Sequence, residues 1–462
     1  MALDIFVVFI YGAGMLLLGW YGMRRARNHE QFLVAGRNLG PAFYMGTMAA
    51  TVLGGASTVG TVRLGYVHGI SGFWLCAALG AGIIVLNLFL AKPLLKLRIF
   101  TVTQVLERRY TPMARQASAV IMFAYALMIG VVSTLAIGTV MQVLFGLPFL
   151  ASVLLGGGVV VIYSTIGGMW SLTLTDIVQF IIKTVGLMFV LLPICLYRVG
   201  GWDELVAKLP ATAFNFTTIG YDTILTYFLI YFFGILIGQD IWQRVFTARS
   251  EGVAKYAGSI AGVYCVLYGL VGALIGMCAK VLLPELPNAN NAFAAIVQAA
   301  LPDGIRGLVI AAALAAMMST ASAGLLAAST TITEDLLPRL RNGQPSSLKL
   351  ARLFTLLTGL AVLAIAMVVS DVLGALTLAY NLLVGGMLIP LLGAIYWKRA
   401  STAGAISSMT LGCLTALVFM FKDGLEANTP IYYSLGIGLV SFVLVSLLSP
   451  RRAVGIAQAT TL

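Results

Sequence analysis

Three ionisable residues, Arg63, Asp176 and Lys183, fall within or at the edge of long apolar runs. A charge inside hydrocarbon costs at least about 2.5–3.5 kcal/mol, so such residues are functional suspects by default. The planar fork of Arg63 suits a carboxylate, which makes it a candidate contact for an acidic solute. It could equally snorkel to the outer interface or pair with an acid such as Asp371. Lys183 follows Asp176 by seven residues. That is close to two helical turns, so both side chains share one face, about 10 Å apart along the axis. An ammonium on that face could stand in for a bound cation or release a proton. Pairing with Asp176 is the expected way of holding it. Two apolar runs are also interrupted by glycine: Gly54 and Gly55 precede Ser57, Thr58 and Gly60, while Gly234 and Gly238 precede Gln239 and Asp240. A broken membrane helix frees carbonyls for a cation and half-helix ends for a polar solute. Either glycine pair alone could simply serve close packing; both at matching places point to a binding midplane.

The elements that must position these residues are transmembrane helices. Of 462 residues, 60% are hydrophobic and 10% charged, and the mean hydropathy is +1.00. A soluble domain needs about 25% charged residues. Apolar runs of about 20 residues match a ~30 Å hydrocarbon core, and each must be helical because lipid offers no partner to an unpaired backbone group. The expected spans are 3–22, 41–67, 72–95, 116–144, 148–168, 175–198, 222–243, 256–283, 305–334, 350–373, 375–396, 402–421 and 430–449, about 13 helices. An odd number places the two ends on opposite faces. With the N-terminus outside, 21 of the 28 Lys and Arg residues fall on the inner side, 5 on the outer side and 2 within spans. The positive-inside rule therefore predicts a multi-pass inner-membrane protein, N-terminus out and C-terminus cytoplasmic. The net charge of +12 is then cytoplasmic-face charge, with membrane lipids rather than nucleic acid beside it. The opening MALDIFVVFIYGAGMLLLGWYGMRR has acid before its apolar run and base after it, the reverse of a signal peptide, so it reads as a retained helix. The five cysteines stand singly and form no metal knuckle or redox pair.

The broken runs open two blocks of five spans, 41–198 and 222–396, that cross in opposite senses. The expected organisation is a first helix and loop at 1–40, the first repeat at 41–198, an outer loop at 199–221 and the second repeat at 222–396. Two C-terminal helices at 397–449 and a cytoplasmic tail at 450–462 complete it. The outer stretches 199–221 and 284–304 look amphipathic and are expected to contain short surface helices.

Four stretches are similar to the sodium/solute symporter family: GRNLGP, IYSTIGGMWSLTLTDIVQ, MMSTASAGLLAASTTITEDLL and IPLLGAIYWKRASTAGA. Their spacing is consistent from about residue 30 to 420. The resemblance implies an all-α membrane protein of the leucine-transporter type, a five-plus-five inverted repeat with extra terminal helices. It implies symport of a small polar organic solute with sodium, the sodium being a co-transported ligand and no cofactor being needed. Matched by position, the main sodium site would use the carbonyls of Ala50, Leu53 and Ala316 and the hydroxyls of Ser319 and Thr320. A second cation site would draw on Asp176, Ser319 and Ser322, although Ala323 stands where that site has its third serine. Asp176 could instead only cap a helix start.

Substrate is expected between the broken helices, near Gly54, Gly55, Ser57, Thr58, Tyr231, Gly234, Gly238 and Gln239, with Tyr380 and Asn381 from the eleventh span. Val52, Ala56 and Ile235 replace the aspartate, tryptophan and tyrosine of proline-type members, which argues against proline. A carboxylate or an amino acid remains the expectation. The alternative is a proton-coupled symporter of the same fold using Lys183; a fixed charge beside the site would oppose sodium, yet every sodium ligand is still in place. A channel would need a continuous polar pore helix, which the sequence lacks. An enzyme would need clustered catalytic groups, and His29 and His68 are the only histidines.

Overall fold

The computed structural model describes residues 2–340 and 346–449. Arg341, Arg451, Arg452 and the expected tail 450–462 lie outside the described residues. The described residues are almost wholly helical, in this order: α1 (Ala2–Arg25), α2 (Pro41–Val52), α3 (Thr61–His68), α4 (Trp74–Val85), α5 (Pro112–Phe145), α6 (Phe149–Lys183), α7 (Phe233–Ile237), α8 (Gln239–Val245), α9 (Glu251–Leu282), α10 (Ile305–Thr331), α11 (Leu348–Ala366), α12 (Val372–Tyr396), α13 (Thr402–Asp423) and α14 (Thr429–Leu448). Helix starts follow local chemistry. Proline occupies the first turn of α2 and α5, where its missing N–H costs nothing. Ser250, Ser347, Asp371 and Ser401 cap α9, α11, α12 and α13 with their side-chain oxygens.

Among the described residues ten helices are long and apolar enough to cross a membrane, or up to eleven if the bent pair Tyr221–Ile237 with Gln239–Val245 is one span. Two of the ten are doubled. Phe149–Val199 has 51 residues, more than twice what a ~30 Å core needs at 1.5 Å per residue, and it folds at Gly168 (φ 53°, ψ −138°). That backbone belongs to glycine, and a Cβ there would collide with Phe32. Ala56–Leu97 turns at Gly69 (φ 66°, ψ −146°) in the same way. Among the described residues that gives up to eleven candidate spans, two of which these glycines fold back on themselves.

Helix α10 is the centre of the bundle, with 94% of its most apolar window buried, against 22% for α1. Its sequence IRGLVIAAALAAMMSTASAGLLAASTT is dominated by small residues, which let neighbouring backbones approach where lipid offers no hydrophobic drive to pack. Stretches 199–221 and 284–304 carry short helices at Trp202–Lys208 and Ala292–Ala300.

Candidate ion and substrate site

Helix α2 stops at Val52; Leu53 leaves helical geometry (φ −93°, ψ 72°) and the chain restarts as a π turn at Ala56–Gly60 before α3. A broken helix leaves carbonyls without their usual partners, and buried carbonyls must find others. Here each carbonyl from 49 to 53 meets a side chain. Lys183 Nζ lies 3.1 Å from the Ala49 oxygen, 3.3 Å from that of Ala50 and 3.5 Å from that of Leu53. Ser319 Oγ is 2.8 Å from the Ala50 carbonyl and 2.9 Å from that of Ala316. Thr320 Oγ1 donates to the Thr51 carbonyl at 2.5 Å, and Ser57 Oγ to Val52 at 2.9 Å. Gly54 is required because a Cβ there would run into the Thr320 side chain.

Lys183 is therefore not paired with Asp176, contrary to expectation. The two do share a face of α6 and are both fully buried, but each meets a different level of α2. Asp176 accepts from Thr47 at 2.5 Å and lies 3.5 Å from Arg244, itself fully buried. At the expected second cation site of Asp176, Ser319 and Ser322, Asp176 Oδ1 is buried without a hydrogen-bond partner among the described residues. Ser322 donates to the Ser319 carbonyl, and a guanidinium already supplies positive charge to Asp176.

The second break lies at Gly238 (φ −68°, ψ 131°), between α7 and α8, with a bend of 47°. The Trp242 indole donates to the freed Leu236 carbonyl at 2.7 Å. Between the breaks is a cavity of about 20 Å³ lined by Thr51, Gly54, Gly55, Ser57, Asp240 and Tyr380, among others. A water needs about 10–15 Å³ of such space, so this conformation is closed around at most a water or two. Thr51 Oγ1 and Ser133 Oγ are buried beside it without partners.

The remaining candidates stand elsewhere. Thr58 turns away to the Tyr268 hydroxyl at 2.7 Å. Tyr231 bonds Thr377 at 3.2 Å and packs its ring 5.2 Å from that of Tyr380, just behind the cavity wall. Gly234 admits the Tyr380 ring. Gln239 is structural, accepting from the Val102 N–H and donating to the Phe100 carbonyl, while Asn381 donates to Thr377 within its own helix. Arg63 is outside the central cavity, on a separate pocket of about 200 Å³, and its partner is Glu426 at 2.8 Å. Asp371, the acid expected to pair with Arg63, instead caps α12 by accepting from the Leu373 N–H.

A family model described as the sodium:solute symporter family matches residues 32–412. The chain belongs to that family. This symporter is 26% identical over 447 residues to the sodium/proline symporter of Staphylococcus aureus, covering 90% of this chain and 85% of that protein. Its fold matches a substrate-bound, outward-open Na+-coupled sialic acid symporter with a TM-score of 0.85 at 20% identity, covering 97% of this chain and 98% of the other. A nucleobase-cation-symport-1 family transporter in a closed conformation matches at 0.57 with 16% identity, covering 93% and 98%. The fold is thus the all-α transporter fold that the sequence motifs imply, and sodium-coupled symport is its activity. None of these relatives is described as proton-coupled, so the proton alternative finds no support.

Reading the sequence missed Asp240 and Ser133 as lining residues of this symporter's cavity. Asp240 follows the Gly238 break by two residues and accepts from the Tyr125 hydroxyl at 3.0 Å; that position was the available signal. Ser133, with Thr134, is a polar pair in the otherwise apolar run GVVSTLAIG, a weak signal.

Proposed function

We propose that this sodium-coupled symporter imports a small polar organic solute of the amino-acid type by alternating access, with its N-terminus outside and its C-terminus cytoplasmic. Sodium binds at the first break, to the carbonyls of Ala50, Leu53 and Ala316 and the hydroxyls of Ser319 and Thr320. The observation carrying this is the meeting of Ser319 Oγ on α10 with the Ala50 carbonyl on α2, 2.8 Å apart. Neutral oxygens from two helices suit an ion that must be bound and then released. The orientation rests on the 21-to-5 distribution of basic residues, and the inner membrane is the corresponding location.

Solute occupies the space between the breaks once the bundle opens, near Gly54, Gly55, Ser57 and Tyr380. Asp240 on that wall would repel a bare carboxylate, whereas an ammonium or several hydroxyls could use Asp240, Ser133 and Thr51. A zwitterion satisfies both the carboxylate and the free half-helix end. The test is a thermal-shift screen of the purified chain against amino acids, organic acids and sugars, with and without sodium. Uptake of each hit into proteoliposomes under a sodium gradient at constant pH follows. Sodium-driven accumulation of an amino-acid-like solute is expected; stabilising solutes that never accumulate with a sodium gradient would sink the reading.

A further inference from the structure

The carbonyls assigned to sodium are already engaged by a positive charge. Lys183 Nζ reaches Ala49, Ala50 and Leu53 at 3.1, 3.3 and 3.5 Å, and an ammonium has three N–H groups to give them. Two of those three oxygens, Ala50 and Leu53, are in the ligand set proposed for sodium. An ion bound to the same oxygens would sit almost where Nζ sits, and two cations cannot share that ring. Lys183 is fully buried, and its acidic neighbour Asp176 accepts from Thr47 and faces Arg244 rather than Nζ. The side chain is therefore aimed into the break with no carboxylate to explain its direction. The Tyr268 ring, centred 5.8 Å from Nζ, offers the ammonium a second seat.

We propose that Lys183 is a tethered cation that occupies the main sodium site in turn with sodium. It fills the carbonyl ring when the site is empty and swings out when sodium enters. The proposal rests on the sodium reading above and adds a coupling role to it. The broken backbone then holds one positive charge whether the carrier is loaded or not, so the empty carrier can close and reorient without exposing bare carbonyls.

The experiment titrates sodium into the purified full-length chain, with potassium as the balancing cation, and reads the melting temperature. The wild type is compared with Lys183→Met, which removes the ammonium, and Lys183→Gln, which keeps N–H donors without charge. Both variants are expected to reach half-effect at a sodium concentration tenfold or more below that of the wild type, equivalent to about 1.4 kcal/mol. If one variant fails to fold, the other carries the test. A midpoint equal to or above the wild-type value overturns the proposal and leaves the sodium reading standing. A wild type insensitive to sodium beside responsive variants shows Lys183 holding the ring permanently, which overturns the exchange and sinks the sodium reading. Silence in all three overturns both.

Discussion

The buried charges Lys183, Asp176 and Arg244 are held in two opposite ways. Lys183 is satisfied by backbone carbonyls, whereas Asp176 accepts from Thr47 through Oδ2 and faces Arg244 at 3.5 Å, both carboxylate and guanidinium being fully buried and Oδ1 having no hydrogen-bond partner among the described residues. Removing one member of a buried ion pair strands the other and typically costs about 3–5 kcal/mol, while removing both costs far less. Asp176→Asn and Arg244→Gln are each expected to lower the melting temperature sharply, and the double variant to recover much of the loss; additive losses would show that the two do not form an energetic pair. The hydroxyls make a separate prediction. Ser319→Ala and Thr320→Ala should each raise the sodium concentration for half-maximal uptake severalfold, and unchanged values in both would remove them from the ligand set. Much of this scale was legible: Asp176 and Lys183 do share a face, because their spacing is a property of any helix. Their partners were not, because Ala49, Ala50 and Arg244 come from segments more than 60 residues away in the chain, whose register only packing decides.

At the level of elements, the breaks are the working parts, and the first is built around a glycine that cannot be replaced. A methyl group at Gly54 would meet the Thr320 side chain, whereas at Gly60 the nearest atom outside its own neighbourhood is Leu373 Cδ1 at 3.8 Å, an ordinary contact. Overpacking costs about 1–3 kcal/mol, while alanine for glycine within a helical turn gains about 0.5–1 kcal/mol. Gly54→Ala should therefore lower the melting temperature and cut sodium-driven uptake at least tenfold, while Gly60→Ala leaves folding intact or slightly firmer. Equal behaviour of the two would refute the role given to the first break. Both breaks could be read from glycine placement in apolar runs. The fifth expected span ends at 168, where Gly168 (φ 53°) folds the chain back, but the loop expected from there to 175 is absent, the helix running on to Lys183. Asp240 was seen beside the second break, but its place on the cavity wall depends on how α8 meets α2 and α5.

For the whole molecule, the closed centre poses the question of which contact must open. The cavity between the breaks holds about 20 Å³, while the pocket at the Arg63 end holds about 200 Å³ and is walled by Tyr227, Ile230 and Thr377 as well as by Arg63 and Glu426. Thr377 also bonds Tyr231, whose ring packs against Tyr380 on the central wall, so that pocket and the centre are separated by a layer of aromatic side chains. The Arg63–Glu426 pair at 2.8 Å joins the α3 half of the broken helix to the loop between α13 and α14. Such a contact ties one half of the broken helix to the periphery of the bundle. Both side chains are partly exposed, at 25% and 39%, so solvent screening limits the pair to about 0–1 kcal/mol. That is enough to shift an opening equilibrium up to about fivefold, but not to unfold the protein. With a cysteine introduced at Thr377 as the reporter, Glu426→Gln is expected to speed its labelling by up to about fivefold and to leave the melting temperature within a few degrees. The charge-swapped pair Arg63→Glu with Glu426→Arg should return labelling toward the starting rate. If Glu426→Gln leaves labelling unchanged, the pair is only a surface contact, and closure at this end belongs to the aromatic layer of Tyr227, Tyr231 and Tyr380.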